Sequence, residues 1–423
     1  MSRVERRALI LGYHGGVGQA VLALLEHSAP GRQLRERLDA VVLADRAPPR
    51  GPVPLNDAIL LPPVSVGSAD DLASLVCAHR ITEVIDLSSI DTVDCTRVCD
   101  ELGAHFLCTS VEEWSGRESI PTDEAIARLL PPRRPVLSQR GHLVGSGANP
   151  GIVNALVFAA LEKFAERIGV QPTVAALDLY AVLITEEDTT VASEDAEDTG
   201  IFSMTWSPIH CLEELFEPRA FAARAGHVVG LGHRPTERWY RARCGDRMIT
   251  GMVVPHEEVA TLAQRLPEVE IAFIYRIPPA ARRALAAWPQ HTSAETWSLR
   301  RLYPPWTRAL SGQDRVGVLL GSRRFGEFWL GFDTDVSTGL ALGTNATQLQ
   351  VAAGVLAGWR QLGQRTGIHF VEDLDWRAFL DVASAVLGPP MSIHDAAARV
   401  RSLLQHQLAA QLVDDSNGGH ARS

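Results

Sequence analysis

Three glycines at a spacing of three residues, Gly12, Gly15 and Gly18, most constrain what this chain can fold into. They follow a short apolar run at 8–11 and precede apolar residues at helical spacing. Glycine lets the backbone turn sharply after a strand, and free N–H groups at the start of the next helix attract negative charge. This order is typical of the strand, turn and helix that bind a dinucleotide pyrophosphate. A glycine-rich turn in another kind of α/β protein is the alternative.

An acidic residue at the end of the second predicted strand supports the dinucleotide interpretation. Asp45 follows the apolar run at 40–44. A carboxylate at this place can accept a hydrogen bond from a ribose hydroxyl. The acid favours NAD as the cofactor, whereas Arg46 directly after it leaves NADP open. Gly16 and Val17 complete the predicted turn.

The first 150 residues alternate short apolar strands with helices, which predicts a parallel sheet with helices on both faces. Polar residues follow two of these strands, so we expect Leu87, Ser88 and Thr109 to face the cofactor crevice. The predicted strands are 8–11, 40–44, 58–61, 83–87, 105–108 and 141–144, and helices are predicted at 70–79 and 92–102.

The rest of the chain reads differently. A long apolar helix at 152–167 precedes longer β-type runs at 174–183, 316–320 and 327–332, which predict a mixed sheet. Helices are expected from 346 to 364 and at 376–387, and Ser392 with Asp395 forms a capping box for a last helix to about residue 412. The fold class is therefore α/β. The expected parts are a doubly wound, Rossmann-type dinucleotide-binding domain (1–150), a mixed α/β substrate domain (151–342), C-terminal helices packed back on the first domain (343–413) and a disordered tail (414–423).

Composition narrows the classes of function. The chain has 423 residues, of which 46% are apolar, yet no apolar run reaches the ~18–20 residues that span a bilayer. Its net charge of −10 argues against nucleic acid and suits a cationic small molecule. The six cysteines lack metal-ligand spacing and suit a reduced, cytoplasmic protein, so no metal is expected. Lys163 is the only lysine, and arginine cannot form an imine, so a catalytic lysine is not expected either.

Three segments combine carboxylates with a tryptophan or a histidine. Glu186 directly follows a β-type run and could project into a cleft. Trp206, with Glu214 after it, is of the kind that binds an ammonium group through cation–π attraction and ion pairing. His256 could act as a general acid or base with Glu258 orienting it. Each of these residues, taken alone, is more often structural than functional.

The combination of motifs along nearly the whole chain is more specific than any one of them. The strongest are Gly147-Ala-Asn-Pro-Gly151, Thr205-Trp-Ser207 and Asn345-Ala-Thr-Gln-Leu-Gln-Val351, and the weaker ones contain Glu112, Glu186 and His256. Together they resemble the bacterial homospermidine synthases of the saccharopine dehydrogenase-like superfamily. By matched position, the resemblance implies that Ala148 and Asn149 join the cofactor-binding residues. It also implies a catalytic set of Glu112, Asn149, Glu186, Trp206, Glu214, His256 and Glu258.

The resemblance implies an NAD-dependent enzyme, assembled as a homodimer, that acts on polyamines. In the implied reaction NAD stays bound and is used twice. An aminoalkyl donor such as putrescine is oxidised to an imine and ammonia leaves. The acceptor amine then attacks, and the stored hydride reduces the new imine. This route passes imines between small molecules and requires no lysine.

The chain departs from the family pattern in its shorter length and in its glycine turn, where Tyr13 or His14 is an extra residue. The family's aspartate after the fourth strand has no secure match, since Ser89 and Asp91 both lie near it. These departures leave the particular amines open.

Two other functions stay open at this point. One is NAD(P)H-dependent reductive joining of an amine and a carbonyl compound, as in carboxyspermidine and saccharopine dehydrogenases. It would need an arginine for a substrate carboxylate, for which Arg243, Arg300 and Arg301 are candidates. The other is a catalytically idle NAD-binding or sensor protein.

Overall fold

The structure is a computed structural model that describes residues 5–48, 53–114, 116, 120–193, 200–287, 297–302 and 309–398. Its two main sheets are a seven-stranded sheet, in which every strand pair is parallel, and a nine-stranded mixed sheet. Helices cover both faces of the parallel sheet, so the predicted α/β fold class is confirmed. No helix in the described ranges is long and apolar enough to cross a membrane.

The parallel sheet is built almost wholly from the first 143 residues. Its strands are β1 (Arg7–Leu11), β2 (Ala40–Ala44), β3 (Ile59–Leu60), β4 (Glu83–Asp86), β5 (His105–Cys108), β6 (Gly141–Leu143) and, from far along the chain, β19 (Gly367–His369). The helices between them are α1 (Gly16–His27), α2 (Ala29–Arg35), α3 (Ala69–His79), α4 (Thr92–Glu101) and α5 (Thr122–Ala127). The strand order is β19-β6-β5-β4-β1-β2-β3, so the direction of winding reverses beside β1. A crevice for a ligand is expected there, outside the carboxyl ends of the strands.

Helix α6 (Ile152–Ile168) leads into the mixed sheet. The strands of this sheet are β7 (Leu179–Asp188), β10 (Phe221–Arg224), β11 (His227–Gly230), β12 (Tyr240–Cys244), β13 (Arg247–Val253), β14 (Glu270–Arg276), β17 (Gln313–Ser322), β18 (Gly326–Asp335) and β20 (Met391–Asp395). Short strands pair outside it: β8 (Val191–Ala192) with β16 (Leu310–Ser311), and β9 (Ile201–Met204) with β15 (Ser298–Arg301). The remaining helices are α7 (Pro208–Leu215), α8 (Glu257–Arg265), α9 (Pro279–Ala287), α10 (Val336–Leu340), α11 (Ala346–Trp359) and α12 (Trp376–Leu387).

Helix α11 packs against both sheets. It contacts α1 and β5 on one side and β17 and β18 on the other, and it is buried along almost its whole length. Two of its glycines allow this close approach. An ideal Cβ on Gly354 would lie 1.9 Å from the backbone oxygen of Gly147, and one on Gly358 would lie 2.0 Å from Oγ of Ser146. At the end of the helix, Nε1 of Trp359 donates a hydrogen bond to Glu83 on β4, at 2.7 Å.

Two sequence predictions fail in the second half of the chain. The run at 174–183 begins as turns, and β7 starts only at Leu179, because Leu177 N–H and Leu179 N–H donate to carbonyls of the 173–174 turn instead of a neighbouring strand. The predicted capping box at Ser392 and Asp395 is wrong: both residues lie in β20, which pairs antiparallel with β18. Met391 and Ile393 alternate with polar residues at the period of a strand, a signal that outweighs the cap pattern. The rest of that predicted helix, from 399, and the predicted tail lie outside the described residues.

The contact between Gly354 and Gly147 gives a stability test. A glycine-to-alanine change inside a helix ordinarily stabilises it by about 1 kcal/mol. Because the new methyl group of Gly354→Ala would overlap backbone, we expect the free energy of unfolding to fall instead, by about 1–3 kcal/mol. Urea unfolding measures it. Gly67→Ala is the control, since an ideal Cβ there lies 3.8 Å from its nearest neighbour, and equal stability of the two variants would contradict the prediction.

Candidate active site

The glycine turn between β1 and α1 leaves room only for backbone. Gly12 has φ +74°, and an ideal Cβ on it would lie 2.6 Å from the backbone oxygen of Leu87. An ideal Cβ on Gly18 would lie 2.6 Å from Cα of Tyr13, and one on Gly16 would overlap the side chain of Gln348. Gly15, which precedes α1, offers no side-chain cap to the first N–H groups of the helix. The turn therefore fits a dinucleotide pyrophosphate, which needs close backbone approach and free N–H donors.

The other predicted cofactor residues surround the same turn. Asp45 ends β2, and its carboxylate accepts from the backbone N–H groups of His14, at 3.0 Å, and Ala47, at 3.2 Å. Each carboxylate oxygen has a second lone pair, so Asp45 can still accept from a ribose hydroxyl. Thr109 lies just beyond β5, with its Cβ 3.7 Å from an ideal Cβ on Gly147. Val17 is half-buried in the first turn of α1, and Ala148 is buried.

A buried carboxyl at the end of β4 was not among the predicted site residues. Asp86 accepts hydrogen bonds from the N–H and Oγ of Ser88, at 2.9 and 2.6 Å. Burial raises the pKa of Asp86 to about 7, with a contribution from the negative charge of Glu112, while the Ser88 hydrogen bonds oppose the shift. The two positions considered for the family's aspartate differ: Ser89 is exposed, and Asp91 is buried as the N-cap of α4, where it accepts from Asp94 N–H at 2.8 Å.

A hydrogen bond joins the cofactor crevice to the mixed sheet. The turn at 147–151 closes through Gly147 N–H, which donates to the Pro150 carbonyl at 2.8 Å. This turn presents Asn149, whose Nδ2 donates to Oε2 of Glu186 on β7, at 2.5 Å. Two predicted catalytic residues from different sheets are thereby in direct contact.

Acidic side chains gather on one face of the mixed sheet. Glu186 and Asp188 alternate along β7, so both point to the same face. In the strand register Tyr275 of β14 lies beside Glu186, and Asp314 of β17 lies opposite Asp188. All four side chains are buried. The sequence analysis named only Glu186 as catalytic, because the partners of Asp188 come from strands more than 80 residues away.

Hydroxyl groups, and not cations, face Asp188 and Asp314. Oγ1 of Thr205 donates to Asp188 at 2.6 Å, and Oγ1 of Thr347 donates to Asp314 at 2.5 Å. Oδ1 of Asp314 has no hydrogen-bond partner. Burial, together with the charges of Glu186 and Asp188, raises the pKa of Asp314 well above its usual range, and burial raises that of Asp188. These two carboxyls therefore hold protons more readily than ordinary aspartates.

The same effect acts on Glu186. Burial and then the charge of Asp188 raise its pKa to about 8, and the hydrogen bond from Asn149 opposes this shift. A carboxyl group with such a pKa can exchange a proton near neutral pH.

His256 provides a positive charge at this face. Its Nδ1 lies 2.5 Å from Oε2 of Glu258, which is fully buried. Burial alone would lower the pKa of His256, but Glu258, and then Glu214 and Glu257, raise it to about 10. The imidazole is therefore protonated at neutral pH and donates its Nδ1 proton to Glu258. Ligand-type atoms of His256, Glu257 and Glu258 also lie within 4.8 Å of one another, a spacing that could hold a metal ion.

The last three predicted catalytic residues adjoin this group. Nε1 of Trp206 donates to the hydroxyl of Tyr275 at 3.3 Å. Burial raises the pKa of Glu214 well above its usual range, against the opposing charge of His256. Burial also raises the pKa of Glu112, which accepts from Oγ of Ser110 at 2.9 Å.

The structure thus brings all seven predicted catalytic residues into one cluster. Trp206 joins it through Tyr275, and Glu112 through the neighbouring charge of Glu257, whose carboxylate accepts from Val111 N–H at 2.9 Å. Sequence reasoning missed Asp188, Asp314, Tyr275, Thr347 and Glu257. Only Asp188 carried a signal, since it stands two residues after Glu186.

The candidate arginines of the reductive alternative lie elsewhere. Arg243 on β12 pairs with Glu327, at 3.1 Å, and with Asp395, at 2.8 Å, on the opposite face of the mixed sheet. Arg300 and Arg301 lie on β15, beside the strand that leads into Trp206.

Comparison with known proteins gives a consistent result. No family model matches the chain. It is 26% identical to homospermidine synthase of Blastochloris viridis, with 93% of this chain and 92% of that protein covered, and 24% identical to homospermidine synthase of Mesorhizobium japonicum, with 71% and 73% covered. The structure is similar to the crystal structure of homospermidine synthase from Legionella pneumophila in complex with NAD, with a TM-score of 0.75, 20% identity and coverage of 93% and 92%. It is also similar to saccharopine dehydrogenase (L-Glu forming) of Saccharomyces cerevisiae, with a TM-score of 0.56, 10% identity and coverage of 92% and 100%. The family resemblance found in the sequence is confirmed.

The raised pKa of Glu186 predicts a pH-dependent stability. The folded chain holds this proton up to about pH 8, whereas the unfolded chain loses it near the ordinary value of 4.5. The stabilising contribution is therefore complete at acid pH and is lost as the pH rises from about 4.5 to 8. Glu186→Gln removes the titrating group, so we expect its free energy of unfolding, measured with urea, to decline less between pH 5 and pH 8 than that of the unaltered protein.

Glu166→Gln, at an exposed position of α6, is the matched control for this test. It should reproduce the pH dependence of the unaltered protein. If the Glu186→Gln curve also ran parallel to that of the unaltered protein, Glu186 would not be protonated in the folded chain.

Proposed function

We propose that this chain, a divergent relative of the homospermidine synthases, is an enzyme that uses NAD to transfer an aminoalkyl group between polyamines. The observation that carries the proposal is the hydrogen bond from Asn149 to Glu186, at 2.5 Å. It joins a turn that fits a dinucleotide to a cluster of buried carboxyls beside Trp206. A cationic aliphatic amine is the substrate class that such a cluster binds, because carboxylates and an indole face both attract positive charge.

The reacting amine must lose a proton before its carbon can give up a hydride. NAD, when bound, supplies the acceptor of that hydride and later returns it. We assign the proton to Glu186, because its carboxyl contacts Asn149 and its pKa of about 8 lies close to the operating range of a general base. His256 is less suited to this step than the sequence indicated, since a pKa of about 10 leaves it protonated. It acts instead as a fixed positive charge and proton donor, and Glu112 is the second carboxylate near the reacting end.

The far end of the substrate keeps its charge. Glu214, with its raised pKa, is neutral when no cation is near, and an ammonium group beside it would draw out the proton and form an ion pair. The face of Trp206 stabilises the cationic imine without neutralising it, while Nε1 of Trp206 is held by Tyr275. The acceptor amine can therefore attack an imine that stays charged and bound.

The paired state of Arg243 favours this transferase over the reductive alternative. A substrate carboxylate would need a free guanidinium at the acidic face, and Arg243 is bound to two carboxylates on the other face. Assembly as a homodimer, a cytoplasmic location and the domain division at residues 150 and 342 remain predictions.

One assay separates the candidate functions. Purified protein is incubated with NAD and a diamine such as putrescine, products are followed by mass spectrometry, and NADH by absorbance. The transferase predicts a coupled secondary amine and released ammonia with no net NADH, because the hydride is returned. Oxidation of added NADH in proportion to an added carbonyl compound would indicate the reductase. A protein that binds NAD and yields neither product would be a sensor.

Replacement of Trp206 tests the site itself. We expect Trp206→Ala to lower kcat/KM by about 3–30-fold, since a cation–π contact contributes about 0.5–2 kcal/mol. Trp206→Phe, which keeps an aromatic face, should recover part of that loss. The affinity for NAD, measured by calorimetry, should stay nearly unchanged in both variants. An equal loss of turnover and of NAD affinity would mean that Trp206 is only structural.

A further inference from the structure

The extra residue of the glycine turn occupies a defined place. Of the two candidates, Tyr13 is 1% exposed and packs in the core, and its carbonyl accepts from Nε2 of Gln19 at 2.8 Å. His14 is the one that turns toward Asp45: its N–H donates to the Asp45 carboxylate at 3.0 Å. The rings of Tyr13 and His14 lie with their centroids 4.0 Å apart. The imidazole is therefore held between an aromatic ring and a carboxylate at the end of β2.

Both ring nitrogens of His14 are buried, and neither has a hydrogen-bond partner in the protein. A buried nitrogen without a partner costs free energy, so natural proteins rarely keep one without a ligand or a function for it. Here two such nitrogens belong to a single side chain. That side chain stands where the strand order of the parallel sheet reverses, next to a turn already fitted to a dinucleotide.

The spacing to Asp45 indicates what is missing. Nδ1 of His14 lies 3.7 Å from Oδ1 of Asp45, too far for a direct hydrogen bond. A hydroxyl group lying against both would satisfy them together, because it can donate to the carboxylate while its oxygen accepts from an imidazole N–H. A phosphate in the same place would lie against the negative charge of Asp45.

We propose that His14 is a cofactor-binding residue that, together with Asp45, clamps a hydroxyl of the adenosine ribose of NAD. This inference rests on the proposed function for its cofactor but not for its amine chemistry. The clamp uses the hydroxyl as donor and acceptor at once, so it binds the free ribose and excludes one that carries a 2′-phosphate. The residue added to the turn thus settles the choice between NAD and NADP that Arg46 left open in the sequence.

Calorimetry with NAD and with its 2′-deoxy and 3′-deoxy adenosine analogues tests the clamp without any turnover. We expect His14→Ala to weaken NAD binding by about 3–10-fold, the effect of losing one net hydrogen bond. One of the two deoxy analogues should bind the unaltered protein more weakly than NAD does, and His14→Ala should weaken its binding no further. His27→Ala, at an exposed position in the last turn of α1, is the matched histidine control and should leave every affinity unchanged.

The outcomes are distinguishable. Equal NAD affinities of the unaltered protein and His14→Ala would overturn the clamp alone, as would an equal loss for NAD and for both deoxy analogues. A fall in the thermal midpoint of His14→Ala without NAD, in step with a uniform loss of affinity, would show a structural role instead. If the unaltered protein bound no NAD, the clamp and the cofactor of the proposed function would both fail. Binding of NAD without amine transfer would leave the clamp standing and overturn only the transferase.

Discussion

The close packing of α11 between the two sheets is the constraint on which the rest of the structure depends. Its glycines allow the helix to touch the 147–151 turn, and its first residues reach the other half of the site. Nδ2 of Asn345 donates to the carbonyls of Thr205 and Leu302, at 2.7 and 2.8 Å, and Nε2 of Gln348 donates to Thr205 at 2.8 Å. The same Gln348 side chain lies against Gly16 of the glycine turn. One helix therefore fixes the distance between the dinucleotide turn and the segment that presents Trp206.

Electrostatics then gives that geometry its chemical character. The carboxyls of Glu186, Asp188 and Asp314 share one buried sheet face, where the groups that donate to them are hydroxyls and an amide. Three such groups cannot all be ionised without a cation nearby. His256 offers one positive charge, but Glu258 already binds it. The face is thus short of positive charge in the empty protein, which makes it selective for a guest that brings its own.

The sequence predicted the parallel half of the fold well because each of its elements is encoded locally. Strands β2 and β5 and helix α12 have the predicted bounds, since short apolar runs end at polar residues or glycine. The acidic face was only partly predictable: Asp314 and Tyr275 meet Glu186 through the register of three strands, and register depends on pairings that no local pattern reports. Strand β20 was mistaken for the start of a helix, because a capping motif and an alternating strand overlap in the same five residues. His14 was visible as an extra residue, but its orphaned nitrogens could be seen only in the folded chain.

The shortage of positive charge at the acidic face has a thermodynamic consequence for any guest. In the empty site protons serve as the counter-ions of the carboxyls, and an arriving ammonium group displaces them into the solvent. Association is then linked to proton release, so the apparent affinity for a dication increases with alkalinity until the carboxyls are already ionised. Above that range the guest loses its own protons and the attraction fades. The site consequently behaves as an exchanger of one kind of cation for another, with the hydrogen-ion concentration of its surroundings setting how firmly it holds what it binds.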